Sequence, residues 1–240
     1  MSDFEQNDVR IHYQETGSGF PVLLFAPGGM KSAIPVWERM PWNPIEILAP
    51  HFRVIAMDQR NAGQSVAPIS GQDGWHSYTG DHVGLLKELE IDRCHVLGCC
   101  IGGSYSLGLM QAVPEKVAAG VLLQPIGASA ENREAFYAMF DQWADELKPR
   151  RPEVSDQDWR AFRSRMYDGD FVYNVSRDFV RQCDTPLLVL KGDDLYHPGP
   201  ISQEIVDLAP HATLIDEWKE GAAVSVSARA VVEFLEEKSH

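Results

Sequence analysis

Leu97-Gly98-Cys99-Cys100-Ile101-Gly102-Gly103 follows the apolar run Cys94-His95-Val96-Leu97 and leads into a segment of helical character. The pattern G-x-Nuc-x-G-G is that of a sharp strand-to-helix turn that lifts a nucleophile clear of a sheet, here with cysteine where serine is usual. Such a turn leaves almost no room for side chains beside it, which accounts for Gly98, Gly102 and Gly103. The spacing puts position 100 at the apex and turns Cys99 back into the fold; a Cys99–Cys100 disulfide would require a strained ring and is not expected. A thiol at a helix N-terminus meets free N–H groups and the positive end of the helix dipole, and both favour the thiolate.

The flanking segments agree in chain order. Pro21 to Ala26 is an apolar run that ends in Pro27-Gly28-Gly29-Met30. Phe52 to Met57 runs into Asp58-Gln59-Arg60-Asn61-Ala62-Gly63-Gln64-Ser65. Beyond the Cys100 turn, Val117 to Leu123 and Pro186 to Lys191 read as buried strands, and the second ends in Gly192-Asp193-Asp194-Leu195-Tyr196-His197-Pro198. Together these motifs resemble those of the α/β-hydrolase family over nearly the whole chain. Pro27 stands where that family usually has His, and Asn61 stands for the first Gly of its Asp-x-Arg-Gly-x-Gly-x-Ser turn.

The resemblance implies an α/β-hydrolase fold, a mostly parallel central sheet flanked by helices. Residues 1–127 and 186–240 would form the core, with a small helical cap, 128–185, inserted after the sixth strand. It implies an acyl-enzyme on Cys100, with an oxyanion hole made by the backbone N–H of Ile101 and that of Gly29 or Met30. Asp194 matches the acid that orients the catalytic base, four residues before Pro198; Asp193 is the competing assignment.

The family's His is expected between the strand Ala212-Thr213-Leu214-Ile215 and the last helix. That loop, Asp216 to Ser225, contains none, and Ala222 or Ala223 stands in its place. His211 precedes the strand and His240 ends the sequence, so neither fits the register. Three readings stay open. The chain is an inactivated Cys-His-Asp enzyme; or another histidine serves, among His76, His82 and the best placed, His197; or the site binds without hydrolysing, or runs another reaction. A cysteine softens the defect, because a thiol near pKa ~8.5 already has a few per cent thiolate at neutral pH. Deacylation still needs a base to activate water.

Composition narrows the remaining classes. With 240 residues, 44% of them hydrophobic, the chain can bury one sizeable core. A net charge of −14 disfavours nucleic acid and anionic membrane surfaces as partners. The N-terminal residues show no leader pattern and no stretch has the apolar length of a membrane helix, so a cytoplasmic protein is expected. Four cysteines are too few and too irregular for a disulfide framework. Cys94-His95 and Cys99-Cys100 lack the paired spacing of a zinc site, so no metal is expected, and no cofactor is implied.

Helical periodicity is expected at 78–90, 104–111, 130–147, 156–167, 175–183 and 225–238, and a strand at Val9 to Tyr13. The aromatics of 130–183 are expected mostly in the core, with a few on the roof of the pocket. Trp37, Trp42 and Trp75 are candidate pocket aromatics. The substrate would be a small molecule, an ester, lactone or thioester. The alternatives are a non-catalytic ligand-binding protein on the same fold and a cofactor-free lyase or C–C bond-cleaving enzyme. The sequence is silent on oligomeric state.

Overall fold

The structure is a computed structural model, and it describes residues 2–239; His240 therefore lies outside the described residues. Eight strands form one sheet: β1 (Ser2–Gln6), β2 (Val9–Thr16), β3 (Pro21–Phe25), β4 (Arg53–Met57), β5 (Cys94–Cys99), β6 (Val117–Leu123), β7 (Leu187–Leu190) and β8 (Ala212–Ile215). Their spatial order is β1-β2-β4-β3-β5-β6-β7-β8. The first two strands pair antiparallel and β2 is antiparallel to β4, while every pair from β4 through β8 is parallel. Strands β5, β6 and β7 are buried at every position, as expected of parallel strands covered on both faces.

Eight α-helices accompany the sheet: α1 (Pro44–Leu48), α2 (Trp75–Glu88), α3 (Ile101–Ala112), α4 (Arg133–Leu147), α5 (Asp156–Tyr167), α6 (Arg177–Arg181), α7 (Gly199–Leu208) and α8 (Ala222–Glu237). Alternation along the strands divides the interior into two cores. Leu23, Phe25, Ile55 and Val96 face one side, with α2 and α3 residues such as Leu85 and Leu109. Val22, Leu24, Val54 and Leu97 face the other, with Leu48, Val231 and Leu235 of α1 and α8. The segment between β6 and β7 carries α4, α5 and α6, and its aromatics Phe140, Trp143, Trp159 and Phe162 belong to the first core. These helices thus share a core with one face of the sheet.

Local sequence explains several boundaries. Ser155 starts α5 with a capping box, its hydroxyl accepting from the Asp158 N–H while Asp158 accepts from Ser155. Ser176 caps α6 through the Phe179 N–H. The strand expected at Val9 is present, but β1 outside it was not expected. A two-residue turn at Asn7-Asp8, both at positive φ, closes that hairpin, and Phe4 is the buried residue of an otherwise exposed strand. So little apolar content leaves no period to read.

All parallel strands end at the same edge, so the loops after β3, β5 and β7 converge there. That edge is where α/β sheets place their sites.

Candidate active site

Cys100 sits between β5 and α3 with φ 59° and ψ −120°. This is a costly conformation for a residue with a side chain, of order 1–3 kcal/mol. Tight packing of the turn sustains it: a Cβ on Gly98 would overlap the Gly102 carbonyl, and one on Gly102 would overlap the Phe25 carbonyl. The Cys100 N–H donates to the Leu123 carbonyl (3.0 Å), and its carbonyl accepts from Gly103 (3.0 Å) and Ile126 (3.3 Å). Cys99 points to the opposite sheet face, where its sulfur lies 3.9 Å from that of Met40. Burial pushes the Cys99 thiol well above its ordinary value, so it stays protonated.

The loop after β7 supplies the acid and the imidazole together. Asp194 Oδ1 accepts from the N–H groups of Tyr196 (2.9 Å) and His197 (3.0 Å), which folds the loop into a tight turn. Asp194 Oδ2 lies 2.8 Å from His197 Nδ1. The imidazole is largely buried, with 11% of its side-chain surface exposed. Its Nε2 meets no conventional hydrogen-bond partner. The imidazole and the Cys100 thiol line the same cavity.

These groups determine each other's charge. Burial alone would depress the imidazolium, but the Cys100 thiolate and the Asp194 carboxylate outweigh it and raise His197 to about 9. Burial alone would raise the Cys100 thiol, but the His197 charge and the N–H groups of Gly28 and Ile101 bring it below its ordinary value. Asp194, although disfavoured by desolvation, is held lower still by His197 and by its backbone donors. Each shift thus favours a thiolate–imidazolium pair, with the carboxylate on its far side.

Among the residues named from sequence, Cys100, Ile101, Asp194 and His197 come together. Gly29 lines the same cavity, and Met30 turns inward, its sulfur 3.5 Å from the Tyr167 hydroxyl. Gly28 was not anticipated: it holds a φ of 119° at the cavity, and its N–H is one cause of the lowered Cys100 thiol value. Asp193 instead pairs with Lys219. Ala222 begins α8, and Ala223 lines a separate depression with Asp193 and Trp218, away from the thiol.

His76 and His82 lie on α2; His82 is buried against Gln59 (2.8 Å) and held neutral by desolvation and by the charge of Arg60, its imidazole lowered to about 3. His12 is structural, 2.9 Å from Asp3.

A cavity of about 270 Å³ opens beside Cys100, bounded by Ile126, Phe136, Met139 and Tyr167, with Tyr196 at its mouth. The expected pocket tryptophans are corrected. Trp37 and Trp42 are packed on the other sheet face, and the Trp75 indole N–H donates to the Met166 carbonyl (2.8 Å) beneath α5. Their large apolar surfaces cover the sheet and never reach the cavity. The residues that do line it were hard to read from sequence, because Phe136 and Tyr167 share the helical period of their core neighbours. Among the described residues no group of three His, Cys, Asp or Glu side chains is placed to hold a metal.

A model of the alpha/beta hydrolase fold matches residues 21–191. Over 133 residues the chain is 29% identical to a 2-hydroxymuconate semialdehyde hydrolase of Pseudomonas sp. (strain CF600), covering 55% of this chain and 46% of that protein. The chain thus spans about half the length of such curated relatives. An N-formylmaleamate deformylase of Pseudomonas putida is 23% identical over 97% of this chain and 82% of that one. Among solved structures, an enol-lactonase from Burkholderia xenovorans LB400 superposes with a TM-score of 0.74 at 20% identity, covering 98% of this chain and 100% of that one. A variant of a meta-cleavage product hydrolase from Pseudomonas fluorescens IP01 gives a TM-score of 0.71 at 23% identity over 95% of each chain.

Proposed function

Because the chain belongs to the alpha/beta hydrolase fold family, we propose that it is a hydrolase of small esters, lactones or thioesters that works through an acyl-enzyme on Cys100. The observation that carries this reading is the His197 imidazole, held by Asp194 and lining one cavity with the Cys100 thiol. His197 takes the role of the base, in place of a histidine at 222 or 223. Residues 128–185 are the cap that roofs the acyl site.

In the proposed cycle the Cys100 thiolate attacks the substrate carbonyl carbon and a C–S bond forms. The carbonyl oxygen becomes an anion stabilised by the Ile101 N–H and by a donor of the Gly28–Met30 loop. Collapse breaks the bond to the leaving oxygen or sulfur, which takes the proton from His197 Nε2. A water molecule then attacks the thioester carbonyl and gives its proton to His197. The C–S bond breaks and the thiolate returns. One water is consumed and one acid is released, with no change in oxidation state. Asp194 keeps the imidazole oriented and favours its charged form in both halves.

The test is intact-mass analysis of the protein and a Cys100→Ala control after incubation with activated esters and lactones. A transient adduct on the parent alone, followed by released acid, is the expected result. If neither adduct nor product forms from any substrate, the acyl-enzyme reading fails, and a non-catalytic ligand-binding protein takes its place. Product that contains no oxygen from labelled water would point to a lyase.

A further inference from the structure

We infer that the acyl site of this chain selects neutral, compact, apolar acyl groups and rejects those that end in an ionised carboxylate. This rests on the acyl-enzyme reading above and specifies its substrate class.

The argument begins with what a buried carboxylate needs. Removing it from water costs several kcal/mol unless a cation or a set of N–H donors replaces the solvent. The wall opposite Cys100 offers neither. Ile126, Phe136 and Met139 are apolar, and the Tyr167 hydroxyl is turned away, to the Met30 sulfur. Among the described lining residues His197 is the sole group able to carry positive charge, and that charge is matched by Asp194 and the thiolate.

The cations nearest along the chain are engaged elsewhere. Arg133, one turn before Phe136, donates to the Tyr167 carbonyl (2.7 Å) and the Gly169 carbonyl (2.9 Å). Lys31, beside Met30, pairs with Glu146 at 2.6 Å. The net charge of −14 adds a long-range field that disfavours anionic ligands. Size follows from the same wall. Phe136 stacks on Tyr167 with ring centroids 5.2 Å apart and meets the Tyr196 ring edge-on at 5.3 Å. These rings border the cavity, whose volume is about 270 Å³.

The test compares the 4-nitrophenyl ester of 5-methylhexanoic acid with the 4-nitrophenyl monoester of glutaric acid. Their acyl groups have nearly the same shape but differ by one negative charge. Nitrophenolate release and the acyl adduct on Cys100 are followed in the 240-residue chain, with Cys100→Ala subtracting self-cleavage. The expected result is a kcat/KM at least roughly 100-fold higher for the neutral ester, since an unpaired charge must be desolvated to bind. Met139→Lys, which offers a cation at the wall, should narrow that ratio about tenfold or more. If both esters acylate Cys100 at similar rates, or the glutarate ester is preferred, the charge inference is overturned while the acyl-enzyme stands. If neither forms an adduct above the Cys100→Ala background, the acyl-enzyme reading falls and this inference with it. The wild-type ratio decides the matter even if the Met139 variant does not fold.

Discussion

At the scale of single residues, the coupling between Cys100 and His197 sets the pH behaviour. Each charge favours the other, so the ion pair exists between the lowered thiol value and the imidazolium value of about 9. Acylation should rise as the thiol ionises and fall as pH passes about 9, where His197 loses the proton destined for the leaving group. Rates of alkylation by iodoacetamide should therefore show a midpoint below that of an ordinary cysteine. His197→Ala should move that midpoint upward and slow acylation by about 10²–10⁴. Asp194→Asn keeps an oxygen for the turn but loses the carboxylate charge, so the alkaline limb should shift downward from about 9. The sign for stability is the same for His197: its raised value stabilises the fold below the ordinary imidazole range, and that contribution disappears as pH rises through about 9. Cys100 could be singled out from sequence because its turn carries a steric demand, whereas Asp194 was singled out by its spacing to Pro198 in the resemblance. His197 could be singled out but not assigned, since an imidazole three residues from an aspartate has no signature until the turn is formed.

At the scale of elements, the turn between β5 and α3 depends on backbones in contact. Gly98→Ala or Gly102→Ala would force a methyl group into a carbonyl oxygen. Overpacking of this kind costs about 1–3 kcal/mol, often more where backbone must move. Thermal unfolding should shift down by about 2–4 °C for each kcal/mol lost, measurable by calorimetry. Strands β5, β6 and β7 were legible as continuous apolar runs, and helices α4 and α5 by their amphipathic period. The hairpin of β1 was not, and α6, expected over 175–183, is confined to Arg177–Arg181, where Ser176 starts it. The Asp58-x-Arg60 motif is revealed as scaffolding. Asp58 accepts from the N–H groups of Ile34 (2.8 Å) and Gln64 (2.7 Å), tying the loops after β3 and β4 together. Asn61 holds its φ of 57° while its side chain accepts from the Ala67 N–H (3.0 Å).

At the scale of the molecule, a buried ion network joins the β4 loop to α2. Arg60 binds Asp81 through two nitrogens (2.7 and 2.8 Å) and Asp73 through a third (2.8 Å). Asp81→Ala would leave the guanidinium short of a partner in the interior, at a cost of about 3–5 kcal/mol. Urea unfolding should register it as a lower midpoint with an unchanged slope. No helix among the described residues is long and apolar enough to cross a membrane. Helices α4, α5 and α6 share one core of the sheet with Trp75, while Trp37 and Trp42 pack in the other, a distinction that depends on tertiary packing and not on local pattern. Asp194 and His197 lie on one turn, so a four-residue segment settles their mutual geometry. An acid and a base drawn from separate loops must be aligned with each other as well as with the thiol; here only the approach of the β7 loop to Cys100 remains to be kept. Gradual warming should therefore detach the imidazole from the sulfur while it is still bound to its carboxylate, leaving a protein that has lost its reactive thiol before it has lost its shape.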